Sequence, residues 1–128
     1  MITNHSNPSH NNHSEMKVND FCMTICTVNG SGSATANTTL LRSLFRMGIP
    51  VSGKNIFPSN IKGLPTWFSI RVSGEGYLGR VAHDDIIIQM NPQTFHEDIN
   101  YNVPGGVVFY ADHIKLPISR DDVVVYPM

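Results

Sequence analysis

A glycine-rich turn between an apolar segment and a helical pattern places the strongest constraint on how this chain can fold. Residues 21–28 (FCMTICTV) are apolar or β-branched, which predicts a buried strand. The turn GSGS of residues 30–33 follows, and apolar side chains then recur at helical spacing between residues 34 and 47. Gly48 and Pro50 are typical of a helix end. A strand, a glycine turn and a helix in this order favour an α/β fold.

Later segments continue the α/β pattern. The Ile86-Ile87-Ile88 run predicts a central parallel strand that is covered on both faces. Asn91 and Pro92 then predict the start of a second helix. Residues 67–72 alternate in polarity, and we expect residues 77–81 to return as their hairpin partner. Further strands are predicted at residues 50–54, 107–110 and 123–126.

These elements together predict one α/β domain with a Rossmann-like, three-layer architecture. Its sheet is expected to be mostly parallel, with a β-hairpin insertion. Residues 1–19 are predicted to be a disordered tail, because residues 1–16 are rich in Asn, Ser and His and offer little to a core. The ordered module is predicted to span residues 20–128.

Composition and charge narrow the possible functions. Apolar residues make up 41% of the chain and charged residues 15%, which fits either burial against partner subunits or a compact, lightly charged domain. The formal net charge of −1 argues against a nucleic-acid-binding protein. Residues 42–80 carry six basic side chains against one acidic, and residues 81–128 carry two against seven. The basic half could attract phosphate or an acidic partner, or the two halves could form two solvated faces.

Two cysteines, Cys22 and Cys26, indicate free thiols in a reducing compartment. Four residues of strand span roughly 13 Å, whereas a disulfide needs Cα atoms roughly 4.4–6.8 Å apart. We therefore predict two buried thiols and a cytoplasmic location. Two cysteines are also too few to hold an iron–sulfur cluster. The chain shows no apolar run long enough to span a membrane and no signal peptide.

The glycine turn is the main candidate for a binding site. Glycines let a ligand approach the backbone, and a helix N-terminus offers free N–H groups to an anion. A dinucleotide site or a methyltransferase would need an acidic residue at the end of the second strand, where this chain has Lys54 and Asn55. Lys54 would suit a phosphate group instead. The alternative is that the turn only packs the helix on the strand. The sequence contains no catalytic constellation, and no metal ligands are assigned.

Three segments carry a resemblance to a known family. Residues 30–71 (GSGSATANTTLLRSLFRMGIPVSGKNIFPSNIKGLPTWFSIR), 87–92 (IIQMNP) and 103–109 (VPGGVVF) resemble the gamma-type module of 2-oxoacid:acceptor oxidoreductases. The resemblance is greatest to the form that is fused at the N-terminus of the alpha subunit in 2-oxoglutarate-type enzymes, and it covers roughly residues 20–126. Ser33, Ala34 and Thr35 depart from the glycine-rich run that is usual there. The family module continues into helices after the last strand, so the resemblance implies that the module is truncated at its C-terminus.

The resemblance implies part of a multi-subunit enzyme that converts a 2-oxoacid and CoA to acyl-CoA and CO2 while reducing ferredoxin. It favours 2-oxoglutarate, with pyruvate as the other family substrate. Thiamine diphosphate and [4Fe-4S] clusters would lie mainly on other domains and on partners such as a thiamine-binding beta subunit. This chain, inactive in isolation, would then be structural or form the entrance for CoA or substrate. The candidate contacts are Gly30, Ser31, Gly32, Ser33, Lys54, Ser59, Asn60, Lys62 and Gly63. The alternatives are a free-standing nucleotide- or phosphate-binding module and an interface domain without a ligand.

Overall fold

A computed structural model describes residues 19–28, 30–56, 64–76, 79, 83–115, 118 and 120–128. The predicted N-terminal tail lies almost wholly outside these residues. The described chain forms six strands and two helices. Their order is β1 (Asp20–Val28), α1 (Ser33–Arg46), β2 (Val51–Ile56), β3 (Pro65–Ser73), β4 (Asp84–Gln89), α2 (Phe95–Ile99), β5 (Asn102–Tyr110) and β6 (Val124–Pro127).

All six strands join one mixed sheet in the order β2-β3-β1-β4-β5-β6. The sheet contains three parallel pairs of neighbouring strands, namely β1 with β4, β4 with β5 and β5 with β6. Strand β3, in contrast, runs antiparallel to both β1 and β2. The predicted α/β fold with a mostly parallel sheet is therefore confirmed. The antiparallel region differs in its pairing from the expected hairpin of residues 67–72 with residues 77–81. Strand β3 has β1 on one edge and β2 on the other, while most of residues 77–81 lie outside the described residues.

The sheet is covered on both faces, which gives the three layers that the sequence predicts. On one face, Leu40, Leu41 and Leu44 of α1 pack against a cluster that includes Ile25 of β1 and Ile70 of β3. On the other face, α2 packs on β1, β4 and β5. That second cluster contains Cys26, Ile87, Phe95, Ile99 and Val108. The continuous apolar run of β1 follows from this arrangement, because a central strand meets a hydrophobic layer on each side.

Helix α1 lies close to strand β2 because that strand carries a glycine. A Cβ atom built on Gly53 would lie 2.8 Å from a Leu41 methyl carbon and 2.9 Å from the Phe68 ring. The absence of a side chain at this position lets the helix settle on the sheet. At its C-terminal end α1 stops at the predicted glycine, where Gly48 adopts φ 80°.

Helix α2 starts later than the sequence predicts. Residues 92–94 form a turn, and the helix begins at Phe95. The side chain of Asn91 accepts a hydrogen bond from the backbone N–H of Gln93 at 3.0 Å, while its own N–H donates to Gln89 Oε1 at 2.8 Å. Asn91 therefore stabilises a local turn at the end of β4 instead of capping the helix. Neither helix of the described chain has the length and apolar character that a bilayer crossing requires.

Candidate functional site

The strand order creates a crevice at the carboxyl ends of β1 and β4. These two strands are parallel neighbours at the centre of the sheet. The chain leaves β1 through α1 towards β2 on one side, and it leaves β4 through α2 towards β5 on the other side. Open α/β sheets bind ligands at such a point, because the two connections diverge and leave space between them.

The glycine turn lies at this crevice and presents the N-terminus of α1. Gly30 and Gly32 adopt φ values of 84° and 80°, which side-chain-bearing residues rarely adopt. Gly32 occupies the N-cap position of α1, and no described residue caps it with a side chain. The Ser33 hydroxyl lies 3.0 Å from Thr27 Oγ1. The first turn of α1 also contains no acidic residue, so the positive end of the helix dipole is left for an anion.

Two cavities flank the glycine turn. The switch cavity, of about 280 Å³, lies between the turn and the ends of β1 and β4, where Ile25, Thr27 and Met90 line it. The edge cavity, of about 310 Å³, lies between the turn and strands β2 and β3, where Asn55 and Thr66 line it. Four residues line both cavities, namely Val28, Gly32, Ser33 and Asn37. A ligand that contacts the turn can therefore extend to either side of it.

Three polar residues at the edge of this crevice are not among the contacts predicted from the sequence. Asn37 of α1 is only 5% exposed, and Asn55 lines the edge cavity. Thr66 Oγ1 is a buried atom that has no hydrogen-bond partner among the described residues. Asn37 shares the buried face of α1 with Leu40, Leu41 and Leu44 at helical spacing. A polar residue on an otherwise apolar helix face was the signal in the sequence that could have identified it.

The predicted contacts separate into three groups. Residues 30–33 lie at the crevice, as described above. Lys54 pairs with Ser69 in register, whereas its neighbours Gly53 and Asn55 pair with residues that face α1. Since strand side chains alternate, Lys54 leaves β2 on the face opposite α1, and Asn55 takes the place beside the turn. Ser59, Asn60, Lys62 and Gly63 lie outside the described residues. A ligand role for all nine residues stays a prediction.

On the opposite face of the sheet, a carboxylate organises a second group of polar side chains. Asp98 of α2 accepts hydrogen bonds from Trp67 Nε1 at 2.8 Å, Gln89 Nε2 at 2.6 Å and Thr94 Oγ1 at 2.5 Å. A cavity of about 260 Å³ lies beside Asp98, Trp67 and Cys26. Asp98 already accepts three hydrogen bonds, so we interpret this group as a structural network that holds α2 to the sheet.

Both cysteines are buried and neither forms a disulfide, which confirms the prediction of two buried thiols. Burial first, and then the neighbouring Asp98, raises the pKa of the Cys26 thiol far above its ordinary value. The thiol therefore stays protonated at neutral pH, which is unsuited to a nucleophile or a cluster ligand. In the described part of the chain, no three His, Cys, Asp or Glu side chains converge as metal ligands would.

The fold and the crevice define a Rossmann-like α/β module with an uncapped glycine turn at its topological switch point. Residues 22–128 match the family described as pyruvate ferredoxin/flavodoxin oxidoreductase. The chain belongs to this family.

Solved structures share the same fold. The pyruvate oxidoreductase subunit PORC from Thermotoga maritima superposes on 77% of this chain with a TM-score of 0.63 and 15% identity. The 2-oxoglutarate:ferredoxin oxidoreductase from Magnetococcus marinus, solved with 2-oxoglutarate, coenzyme A and succinyl-CoA bound, covers 87% with a TM-score of 0.68 and 19% identity. The gamma subunit of a keto/oxoacid ferredoxin oxidoreductase from Geobacter sulfurreducens covers 84% with a TM-score of 0.67 and 9% identity.

The chain spans only part of each of these proteins. It covers 53% of the Thermotoga subunit, 60% of the Geobacter subunit and 20% of the Magnetococcus chain. Among curated protein sequences, none matches the chain.

Proposed function

We propose that the chain is a gamma-type module of a multi-subunit 2-oxoacid:ferredoxin oxidoreductase. The assembled enzyme would convert a 2-oxoacid and CoA to acyl-CoA and CO2 and reduce ferredoxin. Membership of the pyruvate ferredoxin/flavodoxin oxidoreductase family supports this proposal. We favour 2-oxoglutarate as the substrate. This preference follows the resemblance of the sequence, which is greatest to the form fused at the N-terminus of the alpha subunit in 2-oxoglutarate-type enzymes.

Within that enzyme, the crevice at the glycine turn would form part of the entrance for CoA. The observation that carries this role is the uncapped N-terminus of α1 between two cavities at the ends of β1 and β4. CoA carries phosphate groups, and backbone N–H groups at a helix N-terminus bind phosphate without needing a basic side chain. This route does not depend on Lys54, whose side chain lies on the other face of the sheet.

The redox cofactors of the family do not fit the residues of this chain. An iron–sulfur cluster needs about four thiolates, whereas the chain has two cysteines and the buried Cys26 thiol stays protonated. We therefore propose that other domains and subunits of the enzyme hold the [4Fe-4S] clusters and, following the family resemblance, thiamine diphosphate as well. A thiamine-binding beta subunit and ferredoxin would be the partners of this module.

The decisive experiment purifies the native chain with whatever associates with it and measures dye reduction. We expect a brown complex whose dye reduction depends on both a 2-oxoacid and CoA, with 2-oxoglutarate turned over faster than pyruvate. A colourless 14.2 kDa chain without partners would contradict the proposal.

A charge variant tests the CoA entrance. Ala34 is exposed in the first turn of α1 and lines the edge cavity. Ala34→Asp places a carboxylate in the first turn of α1, where the negative charge stabilises the helix but repels an anionic ligand. Like charges about 4 Å apart cost about 1 kcal/mol in water, so the KM for CoA should rise about fivefold. Thr38→Asp adds the same charge at an exposed position one turn later and serves as the control. Equal KM values for the two variants would remove CoA from the crevice.

The second candidate is a free-standing module that binds a nucleotide or another phosphorylated ligand. One observation favours it, because the backbone N–H groups at the N-terminus of α1, which has no side-chain cap from a described residue, could bind an anion without help from a partner. Calorimetry on the isolated chain with CoA, ATP and NADP tests it. Heat of binding from a partner-free monomer would favour this candidate, and the absence of heat with all three ligands would exclude it.

A further inference from the structure

A series of hydrogen-bonded polar residues joins helix α2 to the glycine turn. Gln89 at the end of β4 donates from Nε2 to Asp98 Oδ2 at 2.6 Å, and its Oε1 accepts from the Asn91 N–H at 2.8 Å. Asn91 Nδ2 donates in turn to the Thr27 carbonyl oxygen at 3.3 Å. The Thr27 hydroxyl then lies 3.0 Å from the Ser33 hydroxyl at the start of α1. These contacts connect the two faces of the sheet through the ends of β1 and β4.

Packing alone does not require polar side chains at the end of β4. Gln89 is 1% exposed and Asn91 is 0% exposed, so both lie in the interior. Apolar residues of similar size would avoid the cost of burying two carboxamides. A satisfied buried network instead favours one arrangement, because each hydrogen bond has a preferred length and direction. The two side chains therefore specify the geometry at the place where these strands end.

Asn91 occupies the point at which β1 and β4 separate. The Met90 N–H donates to the Cys26 carbonyl oxygen at 2.9 Å, as expected between parallel neighbours. Beyond this bond, β1 leads to α1 and β4 leads to α2, on opposite faces of the sheet. The Asn91 carboxamide joins the two chains one residue further along. It therefore fixes the end of β1, from which the glycine turn starts, relative to β4.

Asn91 holds residues of the crevice without bordering the crevice itself. Thr27, Ser33 and Met90 line the switch cavity, whereas Asn91 is not among the described residues that line either cavity. Asn91 is bonded to Thr27 and follows Met90 directly in the chain. An effect of Asn91 on a ligand at the turn must therefore pass through these neighbours.

We propose that Asn91 is a positioning residue, which holds the glycine turn in its binding-competent place relative to β4 and to the Asp98 network. The proposal rests on the proposed function, in which the ligand at the turn is CoA, and it gives Asn91 no contact with that ligand. The apparent affinity for a ligand falls in proportion to the fraction of molecules that have the binding-competent arrangement. Without the carboxamide, the turn occupies other arrangements as well, and this fraction falls.

The test is Asn91→Ser in the assembled enzyme. The serine hydroxyl can still accept the hydrogen bond from the Gln93 N–H, but it is too short to reach the Thr27 carbonyl oxygen. The KM for CoA should rise about fivefold, as expected for the loss of one hydrogen bond, while kcat changes less than about twofold. An unchanged KM in an enzyme that still requires CoA would overturn the positioning role.

Two controls separate positioning from a general loss of stability. Gln93→Ala changes an exposed side chain in the same turn and should leave the KM for CoA unchanged. Gly106→Ala, in the first half of β5, should lower the melting temperature, because its Cβ would lie 2.5 Å from Asn102 Oδ1. It should not change the KM. If Gly106→Ala raises the KM as much as Asn91→Ser does, the effect comes from lost stability and the proposal is wrong.

A second variant tests the connection to α2. Gln89→Met keeps a similar volume and removes the hydrogen bonds to Asp98 and to the Asn91 N–H. It should also raise the KM for CoA, and the double variant should match Asn91→Ser alone, because the two residues act in series. Additive effects would overturn this connection. Should Asn91→Ser fail to assemble, Gln89→Met supplies the KM comparison, and an unchanged KM there would reject the proposal.

Failure of the proposed function gives a different result. A wild-type enzyme that oxidises its 2-oxoacid equally well without CoA would reject that function, and the positioning role with it. A wild-type enzyme that requires CoA, combined with an Asn91→Ser variant of unchanged KM, would reject the positioning role alone.

Discussion

Removal of the Asp98 side chain should strongly destabilise the fold. Asp98 is 7% exposed and accepts three hydrogen bonds, from Trp67, Gln89 and Thr94. Asp98→Ala leaves these three donors without their acceptor. A buried donor that loses its partner costs about 1–3 kcal/mol. We take about 1 kcal/mol for each, since Trp67 is half-buried and the threonine hydroxyl can rotate, and obtain a loss of about 3 kcal/mol.

The loss is measurable by urea unfolding. A chain of this size unfolds with a slope of about 1.5 kcal/mol per molar urea, so the midpoint should fall by about 2 M. Trp67 is the only tryptophan in the sequence, and its emission therefore reports on the indole that bonds Asp98. Circular dichroism provides a second probe of the same transition.

Glu97→Ala is the matched control. It removes a carboxylate from the neighbouring residue of α2, where the side chain is exposed, and should shift the midpoint by less than 0.3 M by the same slope, or about 0.5 kcal/mol. If Asp98→Ala shifts the midpoint no further than Glu97→Ala, the three hydrogen bonds do not hold α2 to the sheet, and the structural interpretation of this network is wrong.

Three further predictions concern the start of β5. Arg120 Nη1 donates to the carbonyl at the end of α2 and to that of Asn102 at 2.7–2.8 Å, so Arg120→Ala should lower stability by about 2 kcal/mol in urea unfolding. The hydrogen bond from Arg120 lowers the pKa of Asp122. The folded state is therefore stabilised at neutral pH, and this stabilisation is lost as the pH falls through the lowered pKa. Asp122→Asn should remove this part of the pH dependence of the free energy of unfolding, measured between pH 7 and pH 2. A Cβ on Gly106 would lie 2.5 Å from Asn102 Oδ1, so Gly106→Ala should lower the melting temperature by several degrees, whereas Gly79→Ala, which meets no atom within 4 Å, should not.

Local sequence patterns predicted the elements in which hydrophobic periodicity is strong. The first strand and helix were predicted at residues 21–28 and 34–47, and they occur at 20–28 and 33–46. The position of β3 could not be predicted, since an alternating strand has the same pattern whichever direction it runs. Its place between β1 and β2 depends on long-range pairing along both edges. The start of α2 was missed because an asparagine that stabilises a turn gives the same local signal as one that caps a helix.

Lys54 and Asn55 illustrate why the binding residues were harder to predict than the glycine turn. The turn is encoded locally, since glycines after a buried strand favour the same geometry in many contexts. The neighbouring contacts depend instead on strand parity, because a shift of one residue moves every side chain to the other face. Asn55 therefore lies beside the turn and Lys54 does not. The position of Asn37 beside a cavity depends on long-range structure as well. It arises only because β1 and β4 are neighbours in the sheet and leave a crevice beside the helix. A lysine in the strand that follows the glycine turn and its helix is thus weaker evidence for an anion site than a helix N-terminus at the switch point of the fold.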